Sequence, residues 1–404
     1  MNQIKSNYFI FITVSILFFY SCENDNNLEE FRKQSTSNED DFYVSENEAT
    51  SMALTIYFPS LDSKEGKGGS STKQIKTSKI VPDRKNKNAY YIFNYKEGGF
   101  LIVSADKRTE PILGFSEKGS FNFDSEYLPN GVVGWLEETA ENIGTIRNDS
   151  YEIQNNTAIS LYAMPCEIQK LVSQNVYPAS KCIEDPGDCE DEHNYYGPLM
   201  NSSWNQGNGF NNLLMDMGCN SIGGRPPSGC VATALGQVMR YYQSPSNYNW
   251  SNMPLGNSGS NEISRLLSDV GSAVNMDYDC NGSGANTGVG VNALINIFGY
   301  ASASFGDWNH NKTTSELRAG RPVILAGNTD KNCFLWWCGY EGGHAWVVEG
   351  YNSHYYCDTG VGYSYYFMNW GWGGLYNGYY AYNGWKPGDT NFKYNKRMLY
   401  NIVP

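Results

Sequence analysis

Apolar positions recur along this chain at two periods, and the shift between them marks its organisation. In residues 46–58, Ala49, Met52, Ala53 and Ile56 fall at helical spacing, whereas residues 89–95 and 99–104 are apolar, aromatic-rich runs flanking Lys96-Glu97-Gly98, the pattern of paired strands. A third strand is expected over residues 111–115, and Val132, Leu136, Ala140 and Ile143 mark one apolar face of a helix over 132–147. Residues 63–76, rich in Gly, Ser and Lys, read as a loop. These elements predict a small α+β unit. From about residue 151 the periodicity dissolves, ending in an acidic run at 184–192 that reads as a solvated linker and a plausible cleavage region. From Gly197 onward short apolar runs alternate with Gly, Trp, Tyr and Asn. The pattern predicts a helix from Cys230, irregular chain with a second helix near 290–298, then strands at 322–326, 345–351, 365–369 and 378–382. A helix followed by a run of strands again indicates α+β.

The amino terminus has a different pattern. After one cation at Lys5, an apolar run over residues 8–20 leads into Ser21-Cys22 and then a polar stretch. The run is too short to span a bilayer comfortably. A small residue before a cysteine at the end of such a run has the form of a lipoprotein-type signal, with residues 1–21 removed and Cys22 acylated. A plain secretory signal and an uncleaved anchor are the alternatives, and all three imply export. Residues 22–41, rich in Asn, Asp, Glu and Ser, read as a flexible tether.

At 404 residues, 40% hydrophobic and 15% aromatic, the chain is long and apolar enough for a large core and two or three domains. A net charge of −13 argues against nucleic acid or anionic lipid as a partner, since both attract clustered Lys and Arg. Contact with a membrane is therefore expected only through the lipid at Cys22.

Candidate chemistry centres on Gly229-Cys230-Val231-Ala232-Thr233-Ala234. Val231, Ala234, Leu235, Val238, Met239 and Tyr242 form one buried stripe, so Cys230 lies in the first turn of a helix that ends before Pro245. The unpaired N–H groups at a helix start favour thiolate over thiol, which is what a nucleophile requires. Only His193, His310, His344 and His354 are available as a base. His344 heads an apolar strand behind two glycines; His193 falls in the acidic linker, and His310 and His354 in polar loops. Asn369, in Asn369-Trp370-Gly371-Trp372-Gly373-Gly374, offers an amide oxygen to orient an imidazole, and the indoles offer shielding from water. Gln206 offers a side-chain donor that, with the Cys230 N–H, would hold an oxyanion. Cys333, Cys338, His344, His354 and Cys357 raise zinc as an alternative, but none has CxxC or HxxxH spacing, so no metal or other cofactor is expected.

Taken in order, Trp204-x-Gln206, Gly229 to Ala234, Gly320-Arg321-Pro322-Val323, Gly343-His344-Ala345 with Gly350, and Asn369 to Gly374 resemble the streptopain family of bacterial cysteine peptidases. Upstream, Asn94, Gly98 to Asp106 and Pro111 to Gly114 are similar to that family's inhibitory propeptide. The resemblance implies a papain-like α+β catalytic domain over 195–404, preceded by a small α+β propeptide and linker over 42–194 that inhibits it intramolecularly. It implies Cys230 as nucleophile, His344 as general base, Gln206 as oxyanion donor, and Asn369 and Trp370 as supports of the histidine. The expected substrates are proteins or peptides, and the expected setting is a bacterial outer membrane or cell surface, with the mature peptidase released. Cys219, Cys280, Cys333, Cys338 and Cys357 exceed the family's pattern; Cys182 with Cys189, and Cys333 with Cys338, are close enough in sequence to pair. Two other readings remain at this point: a non-catalytic surface lipoprotein that binds glycan or a host protein, and a cysteine amidase or transpeptidase.

Overall fold

Burial on both faces explains the unbroken apolar strands. Strand β2 (Asn88–Tyr95) sends Tyr90 and Ile92 into one core and Tyr91, Phe93 and Tyr95 into another, and β3 (Phe100–Ser104) divides Phe100 and Ile102 from Leu101 and Val103 in the same way. The computed structural model describes residues 42–55, 73–125, 128–148, 190, 192–327, 333–338, 343–357, 361–381 and 396–404. Residues 43–404 form one unit. The expected signal, tether, Cys22, Cys182/Cys189 pair and residues 151–189 of the linker lie outside the described residues.

Helix α1 (Glu46–Thr55) is capped by Ser45, whose N–H bonds the Glu48 carboxylate while Glu48 N–H bonds the Ser45 hydroxyl. Its Ala49, Met52 and Ala53 pack against the second face of β2 and β3. On the first face lies α2 (Asn130–Asn148), through Val132, Val133, Leu136, Ala140 and Ile143. Strands β1 (Ile75–Pro82) and β4 (Ile112–Ser116) complete this part. The loop expected over 63–76 gives way to β1 at Ile75; this edge strand, IKTSKIVP, is polar and exposed at its centre and apolar at its end, so it carries no alternation to read.

The second part begins with β5 (Glu192–Tyr196), where the sequence had suggested linker. Then follow α3 (Cys230–Tyr242), α4 (Asn261–Ala273), the short α5 (Val289–Asn292) running into a π turn, β6 (Ser302–Asp307), α6 (His310–Arg318) and β7 (Val323–Gly327). A two-stranded ribbon, β8 (Cys333–Phe334) and β9 (Trp337–Cys338), places Cys333 opposite Cys338. The chain closes with β10 (His344–Tyr356), β11 (Val361–Asn369), β12 (Gly378–Ala381) and β13 (Arg397–Val403).

All but the ribbon join one antiparallel sheet in the order β1-β2-β3-β4-β12-β11-β10-β7-β13-β6, with β5 also on β10. The two parts are thus continuous through β4 and β12. Where the sheet passes through β10, Trp346 and Val348 face the core containing α2, and Ala345 and Val347 face the core built on α3 and α4.

Candidate active site

Cys230 opens α3 as the sequence predicts, and the residue before it explains how. Gly229 has φ 89°, and a Cβ there would lie 2.6 Å from the Met276 sulfur and 3.1 Å from the Ser283 carbonyl oxygen, so only glycine permits the turn. Thr233 secures it by donating its N–H and hydroxyl to the Gly229 carbonyl, each at 3.0 Å. Cys230 is half-buried and is a free cysteine. Burial pushes its thiol up, against the backbone N–H groups of Ala345, Val231 and Cys230 itself, which pull it down. The sulfur therefore rests as a thiol.

His344 begins β10 and is buried. Its Nε2 lies 3.2 Å from the Trp370 carbonyl oxygen. A carbonyl only accepts, so Nε2 carries the proton and Nδ1 keeps a lone pair, the tautomer a general base needs. Burial pulls the imidazole down to about 4, with the Trp370 carbonyl opposing, so it is neutral at neutral pH. The ring stacks on Trp346 at 5.9 Å between centroids, and Trp346 packs on Trp370 at 5.3 Å. No hydrogen bond joins His344 to Cys230 among the described residues.

Gln206 comes to the same place because its carbonyl accepts the Ser228 N–H at 2.8 Å, two residues before Cys230's own turn begins. Cys230, His344, Gln206 and Trp372 line one cleft of about 830 Å³. Its lining comes wholly from residues 205–397; no described residue of 42–148 contributes. Cys219 and Cys280 form a disulfide across 61 residues, tying the loop that carries Arg225 to the 280–287 loop, and both loops line the cleft.

Asn369 is placed differently from expectation. Its amide does not reach His344; it donates to the Ser202 carbonyl at 2.8 Å and to Glu349 at 3.0 Å. Trp370 supports the imidazole through its carbonyl and, via Trp346, through its indole. His354 lies in β10, not in a loop, opposite His193 of β5, and their Nδ1 atoms are 2.7 Å apart. His310 begins α6 and lies 2.7 Å from the Tyr366 hydroxyl through Nδ1. None of these three lines the cleft.

Behind the histidine sits the amino-terminal part. A Cβ on Gly131, in the first turn of α2, would be 2.5 Å from the Trp370 ring and 3.1 Å from that of Trp346. Trp135 of the same helix donates its indole N–H to the Ala381 carbonyl at 3.1 Å. Both parts match known families: residues 204–247 and 244–380 match the peptidase C10 family, and residues 41–143 match the Spi protease inhibitor family.

Residues 204–380 belong to the peptidase C10, or streptopain, family.

It is 27% identical to streptopain of Streptococcus pyogenes over 398 residues, 86% of each chain. It is also 27% identical over 367 residues to the thiol protease/hemagglutinin PrtT of Porphyromonas gingivalis, covering 78% of this chain and 37% of that one. In fold it is similar to a prointerpain A fragment of Prevotella intermedia, with a TM-score of 0.54, 23% identity, and coverage of 82% of this chain and 99% of that one. This C10 protein is therefore a cysteine peptidase, papain-like in fold, preceded by an inhibitor-type propeptide domain. The sequence reading missed Gln237 and Glu349, the buried partners of Asn369; their signal was a polar residue inside an apolar stripe, Gln237 in α3 and Glu349 in β10.

Proposed function

We propose that the chain is an exported zymogen of a cysteine endopeptidase, held inactive by residues 42–194 and activated by proteolysis, in part its own, between about residues 151 and 197. The observation that carries this reading is the relation of His344 to its surroundings. The imidazole shares a cleft with Cys230 but is hydrogen-bonded to Trp370 and stacked on Trp346, both of which lie under α2. Departure of α2 removes the brace behind those tryptophans and allows the ring to turn toward the thiol.

In the active state Nδ1 of His344 takes the Cys230 proton, and the sulfur attacks the scissile carbonyl carbon. The oxyanion is held by the Gln206 amide and the Cys230 N–H. Collapse breaks the C–N bond as the imidazolium returns its proton to the leaving amine. Water, deprotonated by His344, then releases the acid and restores the thiol. Asn369 supports this arrangement from behind Trp370.

The test is to express the chain without residues 1–22 under reducing conditions and follow its size, with Cys230→Ala and His344→Ala alongside. Wild type is expected to shorten while both variants stay intact until active enzyme is added; equal shortening of all three overturns self-processing. Labelling by a peptidyl epoxide reads the nucleophile separately. Lipidation of Cys22, and with it anchoring at a bacterial surface, is tested by palmitate incorporation into the full chain and its loss in Cys22→Ala.

A further inference from the structure

Three segments must be aligned for the chemistry proposed above: the irregular chain leading to Gln206, the helix that begins with Cys230, and the end of β11 with Trp370 just after it. One buried polar cluster touches all three. Glu349, in β10, is 1% exposed; Asn369 is 1% and Gln237 0%. Glu349 Oε2 accepts the Met200 N–H at 2.6 Å, and its main-chain oxygen accepts the Leu199 N–H at 2.8 Å. Its Oε1 accepts the Asn369 amide at 3.0 Å, and the same amide reaches the Ser202 carbonyl at 2.8 Å. Asn369 exchanges two longer bonds, both 3.4 Å, with Gln237 of α3, and Gln237 accepts the Trp204 N–H at 3.2 Å. Trp204 lies two residues before Gln206, and Asn369 one before the carbonyl that holds His344.

We propose that Glu349 is a positioning residue of the catalytic site, which fixes the Asn369 amide and the 199–202 segment and through them the relative placement of Gln206, Cys230 and His344. The donor and acceptor pattern explains why a carboxyl group is used. The Met200 N–H and the Asn369 amide both present hydrogens to it, so the side chain between them must accept at two ends, which a carboxyl group can do in either charge state because its hydroxyl oxygen keeps a lone pair when protonated. Glutamine accepts at one end only, and leucine at neither, leaving a buried N–H without a partner. Loss of the Glu349 contact frees Asn369 to rotate, which disturbs Ser202 on one side and Gln237 on the other. Misplacement by about 1 Å at a reacting centre costs on the order of 100-fold in rate.

This inference rests on the peptidase reading, and the experiment separates the two. Glu349→Gln and Glu349→Leu are made in the full precursor, processed with a trace of wild-type enzyme, and assayed on a fluorogenic peptide that wild type cleaves. Glu316→Gln serves as the control: Glu316 is likewise buried, paired with Arg321 at 2.7 Å, and lines no part of the cleft. All measurements are made well below each variant's melting temperature. We expect kcat to fall about 10-fold in Glu349→Gln and about 100-fold in Glu349→Leu with KM within twofold of wild type, and Glu316→Gln to lose stability but not kcat. If Glu349→Leu does not fold, Glu349→Gln alone decides. Wild-type kcat in a folded Glu349→Gln, with only its melting temperature lowered, overturns the inference. A wild type that cleaves no peptide overturns the peptidase reading instead.

Discussion

The contact between Gly131 and the tryptophans sets two effects of opposite sign against each other. Replacing this helical glycine by alanine should, from backbone entropy alone, stabilise the precursor by up to about 1 kcal/mol. The new methyl group, however, would stand 2.5 Å from Cζ3 and 3.0 Å from Cε3 of Trp370, and 3.1 Å from Cε3 of Trp346. Favourable carbon contacts need roughly 3.5–4 Å, so something must move by about 1 Å. The indoles are poorly placed to yield. Trp370 donates to the Tyr376 carbonyl at 3.0 Å and Trp346 to the Met368 sulfur at 3.2 Å, and both rings are buried. The helix is therefore displaced. Overpacking of this kind costs about 1–3 kcal/mol, so Gly131→Ala should destabilise the docked precursor by a net of about 1–2 kcal/mol, or 5- to 30-fold in the docking equilibrium. The stability effect is read by urea unfolding of Cys230→Ala precursors with and without Gly131→Ala, and the functional effect by the half-time of self-processing with Cys230 intact. A lower midpoint and faster processing are expected, with kcat/KM of the processed enzyme unchanged. A midpoint that rises would mean that propensity wins and that α2 does not brace the tryptophans.

Stability should also vary with pH in a way that three buried groups set. His344 and His354 are pulled down to about 4, so between pH 4 and 6.5 the unfolded chain binds the extra protons and stability falls as pH drops, by at most about 3 kcal/mol from His344. Burial pushes Glu349 up to about 8 against its Asn369 and Met200 donors; there the folded state binds the extra proton, and stability falls as pH rises from 4.5 to 8. Melting temperature of the Cys230→Ala precursor should thus peak near pH 6.5, and Glu349→Gln should flatten the alkaline limb; an unchanged limb would refute that assignment. Replacing Cys219 and Cys280 by serine removes a 61-residue closure worth about 4 kcal/mol and frees two cleft loops, so KM should rise more than kcat falls. Glu138→Ala leaves Lys396, its partner at 3.1 Å, buried without that carboxylate, and should cost the precursor about 3–5 kcal/mol by calorimetry while the processed enzyme keeps its activity.

Which parts of this were legible in the sequence follows from how each is held. Elements that bury a periodic face were readable: α2 through Val132, Leu136, Ala140 and Ile143, and α3 through the stripe behind Cys230. Helix α4 had the same signal, with Ile263, Leu266, Leu267 and Val270 after a Ser260 cap, and was obscured only by the Gly, Ser and Asn around it. Strands β1 and β5 had no such signal. IKTSKIVP mixes apolar and polar residues without alternation and EHNYY begins polar, and main-chain pairing to β2 and β10 holds them. Strand β13 follows residues outside the described ones, and only its pairing on both sides, with β7 and β6, shows its place in the sheet. In the site, Cys230, His344 and Gln206 were candidates through residue type and the family resemblance together, and they line one cleft, but the partner of Asn369 was not legible. A sequence indicates that an amide is present, whereas the direction it faces depends on Glu349, 20 residues away on another strand.

In the proposed zymogen the described residues of the amino-terminal part would act from behind the cleft. An inhibitor that blocks by occupancy contributes side chains to the cleft, and among the described residues the amino-terminal part contributes none. What it contributes is sheet and aromatic surface on the far side. β4 meets β12 at Tyr379 opposite Phe115 and Tyr380 opposite Gly114, the Phe115 and Tyr379 rings stack at 5.0 Å, and Trp135 packs on Tyr380 at 4.9 Å. Tyr380 in turn packs on Trp370 at 5.5 Å, whose carbonyl holds His344. The route from inhibitor to base is thus a chain of three packed rings, and it runs behind the substrate-facing wall. In the proposed zymogen, loss of the docked sheet would act along that route on the position of the base. The same loss turns β12 into an edge. In the proposed zymogen the four described residues of β12 would then be a short edge, which templates another strand poorly.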